Sequence, residues 1–122
     1  MARKPHILIA GGGIGGLAAA LALLQRGFDV DVYEQAPELK EVGAGEQISA
    51  NGNRVLHALG VSEALRALAC EAAGKEVRLW STGQTWKLFD LGAVSVERYG
   101  FPYYTLYRPD LIAGLADAVR RA

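Results

Sequence analysis

A glycine-rich segment near the start of the chain constrains the fold more than any other feature. The sequence GGGIGG at residues 11–16 follows a short apolar run at residues 6–10 and precedes an Ala- and Leu-rich stretch that closes at Gly27. An alternating segment at residues 28–33 comes next and ends on Glu34, 18 residues after the last glycine of the motif. The order strand, glycine turn, helix, strand and acid is typical of a dinucleotide site in a parallel βαβ unit.

Three glycines of the motif have separate expected roles. Gly11 permits the tight turn out of the strand, Gly13 lets a pyrophosphate approach the backbone, and Gly16 lets the helix pack close to the sheet. The helix that follows directs its free N–H groups and the positive end of its dipole at the phosphates. An ordinary α/β domain with a glycine-rich turn is the alternative, and the complete βαβ context disfavours it.

Glu34 indicates which dinucleotide the site prefers. Its carboxylate stands at the end of the second predicted strand, where it can accept hydrogen bonds from both hydroxyls of an adenosine ribose. A 2′-phosphate would meet a like charge there, and neither Arg nor Lys follows directly to compensate. The sequence therefore favours FAD or NAD over NADP.

Composition predicts a small soluble α/β domain with a sizeable core. The 122 residues are 51% hydrophobic and 21% charged, and 13 basic residues balance 13 acidic ones, which argues against nucleic acid or an anionic membrane as partner. The basic N-terminus leads into a core strand rather than a signal peptide, so a cytoplasmic protein is expected. Cys70 is the only cysteine, which excludes an intrachain disulfide and a multi-cysteine zinc site; no metal site is expected. Its Ala/Leu-rich surroundings predict a helix and a buried structural thiol.

The middle of the chain predicts a loop and two helices. The loop covers residues 37–45, and the first helix runs from residue 50 or 51 to 59 and ends at Gly60. Ser62 is expected to cap the second helix, over residues 63–71.

After Gly74 the period changes to two, which predicts a hairpin of residues 77–79 and 86–88. A further strand is expected at residues 103–107, followed by a final helix with Pro109 in its first turn. Antiparallel strands at this point are unusual for a simple doubly wound domain. They point away from an NAD dehydrogenase and toward a flavoprotein fold with an interleaved second domain.

The chain resembles the N-terminal part of the single-component FAD-dependent aromatic hydroxylases, the salicylate hydroxylase and 3-hydroxybenzoate 6-hydroxylase type of flavoprotein monooxygenase. Four stretches carry the resemblance, in the family's order and spacing, and together they span nearly the whole chain. The first two are IAGGGIGGLA at residues 9–18 and VYEQAPEL at 32–39. The third begins with VGAG at residue 42, runs through Asn51 and includes Arg54 and LGV at 59–61. The fourth is YY at 103–104 with YRPDL at 107–111.

The resemblance implies a partial Rossmann-like FAD-binding domain that holds the ADP half of the cofactor. The glycine motif would bind the pyrophosphate, and Glu34 would bind the adenosine ribose. Gly45 would lie near the flavin, and Arg108 would reach the phosphate or ribityl region. The alternative for Arg108 is a solvated charge near a helix start. The implied cofactor-binding residues are Gly11, Gly13, Ile14, Gly15, Gly16, Glu34, Gln35, Gly45 and Arg108.

The resemblance also implies a reaction and a domain plan. The parent enzyme would hydroxylate a small aromatic substrate with NAD(P)H and O₂, with NAD(P)H as the transient reductant of FAD. Residues 1–74 would form the FAD-binding unit, 75–107 the start of the substrate domain, and 108–122 a helix returning to the FAD domain. The family's later motifs do not follow Ala122, so the chain is expected to be a fragment without catalytic residues of its own.

The sequence departs from the family's pattern at two positions. Glu46 stands where the family usually has an apolar residue, and Ala50 where it usually has proline. An open sheet edge beside the first strand is expected to promote self-association. Two alternatives remain: a non-catalytic dinucleotide-binding module and an NAD-binding half-domain.

Overall fold

The computed structural model describes residues 3–39 and 43–122. Their elements, in chain order, are β1 (His6–Ala10), α1 (Ile14–Leu24), β2 (Asp29–Tyr33), β3 (Gly45–Ile48), α2 (Ala50–Ala58), α3 (Ser62–Arg66), β4 (Cys70–Glu71), β5 (Gly74–Arg78), β6 (Thr85–Asp90), α4 (Gly92–Tyr99), β7 (Tyr104–Tyr107) and α5 (Arg108–Arg121).

The first three elements form the predicted parallel βαβ unit. β1 and β2 pair in parallel, from His6 opposite Asp29 to Ala10 opposite Tyr33. The polypeptide crosses between them through α1, as parallel pairing requires. This confirms the α/β, Rossmann-like fold class predicted from the glycine motif.

A second, antiparallel sheet is centred on β7. This strand lies between β3 and β4, and its register with β3 places Gly45 opposite Tyr107 and Ile48 opposite Tyr104. β5 and β6 form a separate antiparallel hairpin, which confirms the hairpin predicted after Gly74. The antiparallel segment expected beside the dinucleotide-binding unit is therefore present.

The hydrophobic core lies where α1 packs against α5. Leu17 and Leu21 are buried on α1, and Leu111 and Leu115 on α5 are fully buried, at 0% exposure. Each pair is four residues apart, so its members lie on one face of their helix. Side chains from α2, α3 and β7 complete this cluster. The core thus holds the final helix against the helix that follows the glycine motif.

The predicted helix boundaries are accurate for α2 and α5. α2 begins at Ala50, and the chain turns at Gly60, whose φ of +80° is a left-handed conformation that favours glycine. Pro109 lies in the first turn of α5, where its missing N–H would have no helical partner.

The prediction for residues 62–71 is wrong. α3 ends at Arg66, and Ser62 is its first residue rather than a side-chain cap; the Ser62 hydroxyl lies 3.3 Å from His57 Nδ1. Cys70 belongs to β4 and pairs with Thr105 of β7, and its thiol is exposed rather than buried in a helix. Sheet pairing with β7 takes precedence over the helical propensity of this Ala- and Leu-rich stretch.

Two elements had no clear signal in the sequence. β3 starts at Gly45, the last residue of the predicted loop, and residues 40–42 of that loop lie outside the described residues. α4 starts at a glycine and contains Val94 and Val96, which are poor helix formers. Its buried Ser95 donates a hydrogen bond to the Phe101 carbonyl at 2.8 Å, and Gly100 ends the helix with φ +79°.

Large apolar side chains are exposed on two strand pairs. On β1 and β2, Leu8 is 66% exposed and Tyr33 61%. On and beside the hairpin, Trp80 is 93% exposed and Trp86 and Phe89 about half exposed. Among the helices of the described residues, none is long and apolar enough to cross a membrane. Exposed apolar patches of this kind mark surfaces suited to association.

Candidate dinucleotide-binding site

The glycine turn connects β1 to α1 in the manner that the sequence predicts. Gly11 has φ +110°, a conformation that L side chains rarely adopt, and its N–H donates a hydrogen bond to the Tyr33 carbonyl at 2.7 Å. The turn is therefore tied to the last residue of β2, directly before Glu34.

Gly16 and Gly13 meet opposite surroundings. A Cβ on Gly16 would lie 1.9 Å from the Gly11 carbonyl oxygen, so only glycine allows this approach of helix and turn. A Cβ on Gly13 would meet none of the described atoms within 4 Å, so this glycine faces open space. The first observation confirms the packing reason for Gly16, and the second is the arrangement that a ligand approaching the backbone needs.

The N-terminus of α1 has neither a side-chain cap nor an acidic residue in its first turn. Gly13 is its N-cap in an extended conformation, without a side-chain capping bond, and the first turn contains no acidic residue. The first helical hydrogen bond is donated by Leu17 N–H to the Gly13 carbonyl at 2.9 Å. The N–H groups of Ile14, Gly15 and Gly16 therefore precede that bond and carry the positive end of the helix dipole. An anion is the ligand that such a terminus favours.

Glu34 is fixed in place by backbone donors from both sides. Its Oε2 accepts a hydrogen bond from Gly12 N–H at 2.7 Å, and its Oε1 accepts one from Ala36 N–H at 3.0 Å. The hydrogen bond from Ala36, followed by that from Gly12, lowers the pKa of Glu34 below its ordinary value, with a smaller contribution from the Gln35 backbone and opposition from burial. Glu34 is thus an oriented, ionised acceptor at the end of β2.

Stability should depend on pH through Glu34. Because its pKa is lower in the folded chain, its contribution is fully present above the unfolded pKa of a glutamate, about 4.3, and is lost as pH falls through the folded pKa. We expect Glu34→Gln to lower the free energy of unfolding at pH 7 and to make much less difference at pH 3. Urea unfolding at both pH values measures this, with Glu63→Gln, at an exposed position of α3, as the control. A Glu34→Gln effect that is equal at the two pH values would contradict it.

Sequence reasoning missed Gly12 as a site residue. It is buried, it donates the shorter hydrogen bond to Glu34, and a Cβ here would lie 2.8 Å from Leu39 Cδ2 and 3.1 Å from Glu34 Cβ. The available signal was the glycine itself. The motif accepts any residue at its second position, so a glycine there indicates a separate structural requirement. Gln35, which the resemblance placed at the cofactor, lies exposed beside Glu34.

Gly45 and Arg108 lie together in a second group of residues. Gly45 begins β3 opposite Tyr107, and Arg108 begins α5 as the next residue along the chain. Arg108 N–H donates a hydrogen bond to the Ala44 carbonyl at 3.3 Å, and Arg108 Nε lies 3.9 Å from Glu46 Oε2. The structure therefore brings Gly45, predicted to lie near the flavin, together with Arg108, predicted to reach the phosphate or ribityl region, and Glu46 lies beside them. Within residues 3–39 and 43–122, no group of acidic, His and Cys side chains could hold a metal ion.

A parallel βαβ unit, an open helix terminus at a glycine turn and an oriented acid define a dinucleotide-binding α/β domain. Comparison with known families agrees with that class. The chain belongs to the NAD(P)-binding Rossmann-like domain family, whose profile matches residues 9–71, just over half of the chain.

Individual relatives confirm the resemblance to aromatic hydroxylases. The chain is 44% identical over 114 residues to the 3-amino-4-hydroxybenzoate 2-monooxygenase PtnB3 of Streptomyces platensis, covering 93% of this chain and 29% of that protein. It is 40% identical over 114 residues to a 3-hydroxybenzoate 6-hydroxylase of Polaromonas naphthalenivorans, covering 93% and 28%. The chain therefore spans less than a third of the length of these relatives.

A solved structure is similar in both fold and sequence. Klebsiella pneumoniae HpxO, complexed with FAD and uric acid, superposes with a TM-score of 0.77 at 29% identity, covering 92% of this chain and 28% of that one.

Proposed function

We propose that this chain binds FAD through the ADP half of the cofactor. We further propose that it is the N-terminal FAD-binding part of a flavin-dependent monooxygenase that hydroxylates a small aromatic substrate with NAD(P)H and O₂. The names of the two relatives support the reaction class, and the FAD complex of HpxO supports the cofactor. The observation that carries the proposal is the Glu34 carboxylate, held by two backbone N–H groups beside the open N-terminus of α1.

The proposal assigns a task to each part of the site. Each Glu34 oxygen accepts one backbone hydrogen bond and retains lone-pair capacity for a ribose hydroxyl. The N–H groups at the start of α1 face the pyrophosphate across the open space at Gly13. Gly45 lies toward the flavin, and Arg108 reaches the phosphate or ribityl region. When bound, FAD supplies the redox chemistry, and these residues supply binding and orientation.

The domain plan and the location belong to the same proposal. Residues 1–74 form the FAD-binding unit, 75–107 begin the substrate domain, and 108–122 return to the FAD domain. Packing of α5 on α1, with the exposed β5–β6 hairpin between them in sequence, supports this division. We include a cytoplasmic location in the proposal because NAD(P)H, the reductant of the proposed reaction, is available in the cytoplasm. We assign no catalytic role to any of the described residues.

A titration with FAD tests the proposal. We expect saturable quenching of flavin fluorescence, competition by ADP, and binding weakened about 10-fold to 100-fold by Glu34→Ala, because a charged acceptor of two ribose hydroxyls is removed. Glu63→Ala, at an exposed position of α3, is the matched control and should bind FAD as the wild type does. Absence of FAD binding by a chain shown to be folded would refute the proposal.

A specific observation keeps NAD as the second candidate cofactor. The family profile that matches residues 9–71 is described as NAD(P)-binding, and Glu34 is suited to the adenosine ribose of NAD as well as of FAD. NADH added as a competitor separates the two. Displacement of FAD only at much higher NADH concentrations favours FAD, and tighter binding of NADH favours the half-domain that binds NAD.

Self-association through β1 and β2 is part of the proposal for the isolated chain. Among the described residues these two strands form a sheet of their own, so both have an open edge, and Leu8 and Tyr33 expose apolar surface on one face. A second copy of the chain can cover that face.

We expect concentration-dependent association that Leu8→Lys weakens about tenfold, because a charge would replace an apolar contact. Sedimentation velocity over a range of concentrations measures it. Val55→Lys, on the exposed face of α2, is the control because it makes the same change elsewhere. A wild-type chain that stays monomeric throughout, or a Leu8→Lys variant that associates normally, would exclude this surface.

A further inference from the structure

Glu46 places a negative charge beside Arg108, where an anionic ligand favours a positive one. We propose that Glu46 limits the affinity of the site, because its carboxylate offsets part of the positive charge with which Arg108 acts on the cofactor phosphates. This inference rests on the proposed function, in which Arg108 reaches the phosphate or ribityl region of the cofactor.

Backbone pairing fixes Glu46 next to the start of α5. Glu46 lies opposite Leu106 in the β3–β7 ladder, and Arg108 follows two residues later as the first residue of the helix. The hydrogen bond from Arg108 N–H to the Ala44 carbonyl holds the two segments together. The sheet therefore places the two residues close enough for their side chains to meet, with 3.9 Å between Arg108 Nε and Glu46 Oε2.

Partial burial strengthens the effect of the Glu46 charge on Arg108. The side chain of Arg108 is 40% exposed and that of Glu46 34%, so both charges are only partly screened by water. The N-terminus of a helix adds positive potential to that of an arginine, and a carboxylate at this position reduces both. Asp110 in the first turn of α5 acts in the same direction from the helix itself.

The unfavourable effect of the Glu46 carboxylate on binding should grow with the negative charge of the ligand. FAD and ADP both carry a diphosphate, whereas adenosine carries none and would interact only at the Glu34 end of the site. Removing the Glu46 charge should therefore tighten the binding of ADP and FAD and leave adenosine binding unchanged. A purely structural role of Glu46 would affect all three ligands alike.

The experiment compares the wild type with Glu46→Gln, which keeps the shape of the side chain, and with Glu46→Ala as a second variant. Calorimetry with FAD and ADP, and amide chemical-shift titration with adenosine, measure the dissociation constants. We expect both variants to bind ADP and FAD on the order of tenfold more tightly at low ionic strength, with the gain reduced in 0.5 M salt. Glu63→Gln on α3 removes an equal charge away from Arg108 and should change none of the constants.

The outcomes separate this inference from the function on which it rests. Unchanged or weaker ADP binding by both Glu46 variants overturns it, and weaker binding would mean that Glu46 instead orients Arg108. Equal gains for adenosine and ADP also overturn it, because the effect would not depend on phosphate charge. If the folded wild type binds neither FAD nor ADP, the proposed function fails and the inference falls with it.

Discussion

Replacing Gly16 by alanine is expected to unfold the chain or to lower its free energy of unfolding by about 3 kcal/mol or more. The new Cβ would lie 1.9 Å from the Gly11 carbonyl oxygen and 3.5 Å from Ile9 Cγ2, and the closest obstacle is backbone that cannot rotate away. Either α1 must move from β1 or the glycine turn must open. For a domain whose total stability is about 5 to 15 kcal/mol, this is a large share.

Gly15→Ala is the matched control for Gly16→Ala. Gly15 is the preceding residue of the same helix, and its added Cβ would meet none of the described atoms within 4 Å. Alanine is the better helix former, so we expect stability to be unchanged or raised by up to about 1 kcal/mol. Circular dichroism during urea unfolding measures both variants. Equal stability of the two would contradict the close packing of α1 on the turn.

Gly13→Val is expected to abolish FAD binding while leaving the fold intact. Gly13 has φ −78° and ψ −171°, a conformation open to any residue, and none of the described atoms lies within 4 Å of a Cβ placed there. A branched side chain would occupy the space through which the pyrophosphate reaches the first N–H groups of α1. We expect at least about a 100-fold loss of affinity, equal to about 2.7 kcal/mol.

Fluorescence polarisation of FAD measures the loss, and the melting temperature reports the fold. Gly13→Ala provides a graded comparison, because one methyl group fills less of the same space and should cost less affinity. A Gly13→Val chain that binds FAD like the wild type would show that the phosphates lie elsewhere.

The βαβ unit could be predicted because its determinants are local. The apolar run of β1, the glycine turn and the alternation of β2 each follow from residues adjacent in sequence, and Glu34 follows from its place at the end of a strand. The β5–β6 hairpin was predictable for the same reason, since its period and its turn residues lie within one short segment.

Two of the missed elements, β3 and β4, depend on distant partners. β3 and the two-residue β4 exist because β7 pairs with both, and a strand this short has no periodicity to read. Likewise, the approach of Glu46 to Arg108 joins segments about 60 residues apart and is set by the β3–β7 register, which sequence spacing does not encode.

An amide chemical-shift map of the ¹⁵N-labelled chain titrated with ADP locates the dinucleotide site residue by residue. We expect saturable shifts that are largest at Gly13, Ile14, Gly15 and Ala36, around the start of α1 and the Glu34 carboxylate, with α3 and the β5–β6 hairpin unaffected. Shifts confined to another surface, or none in a chain whose spectrum shows it to be folded, would contradict a dinucleotide site at the glycine turn.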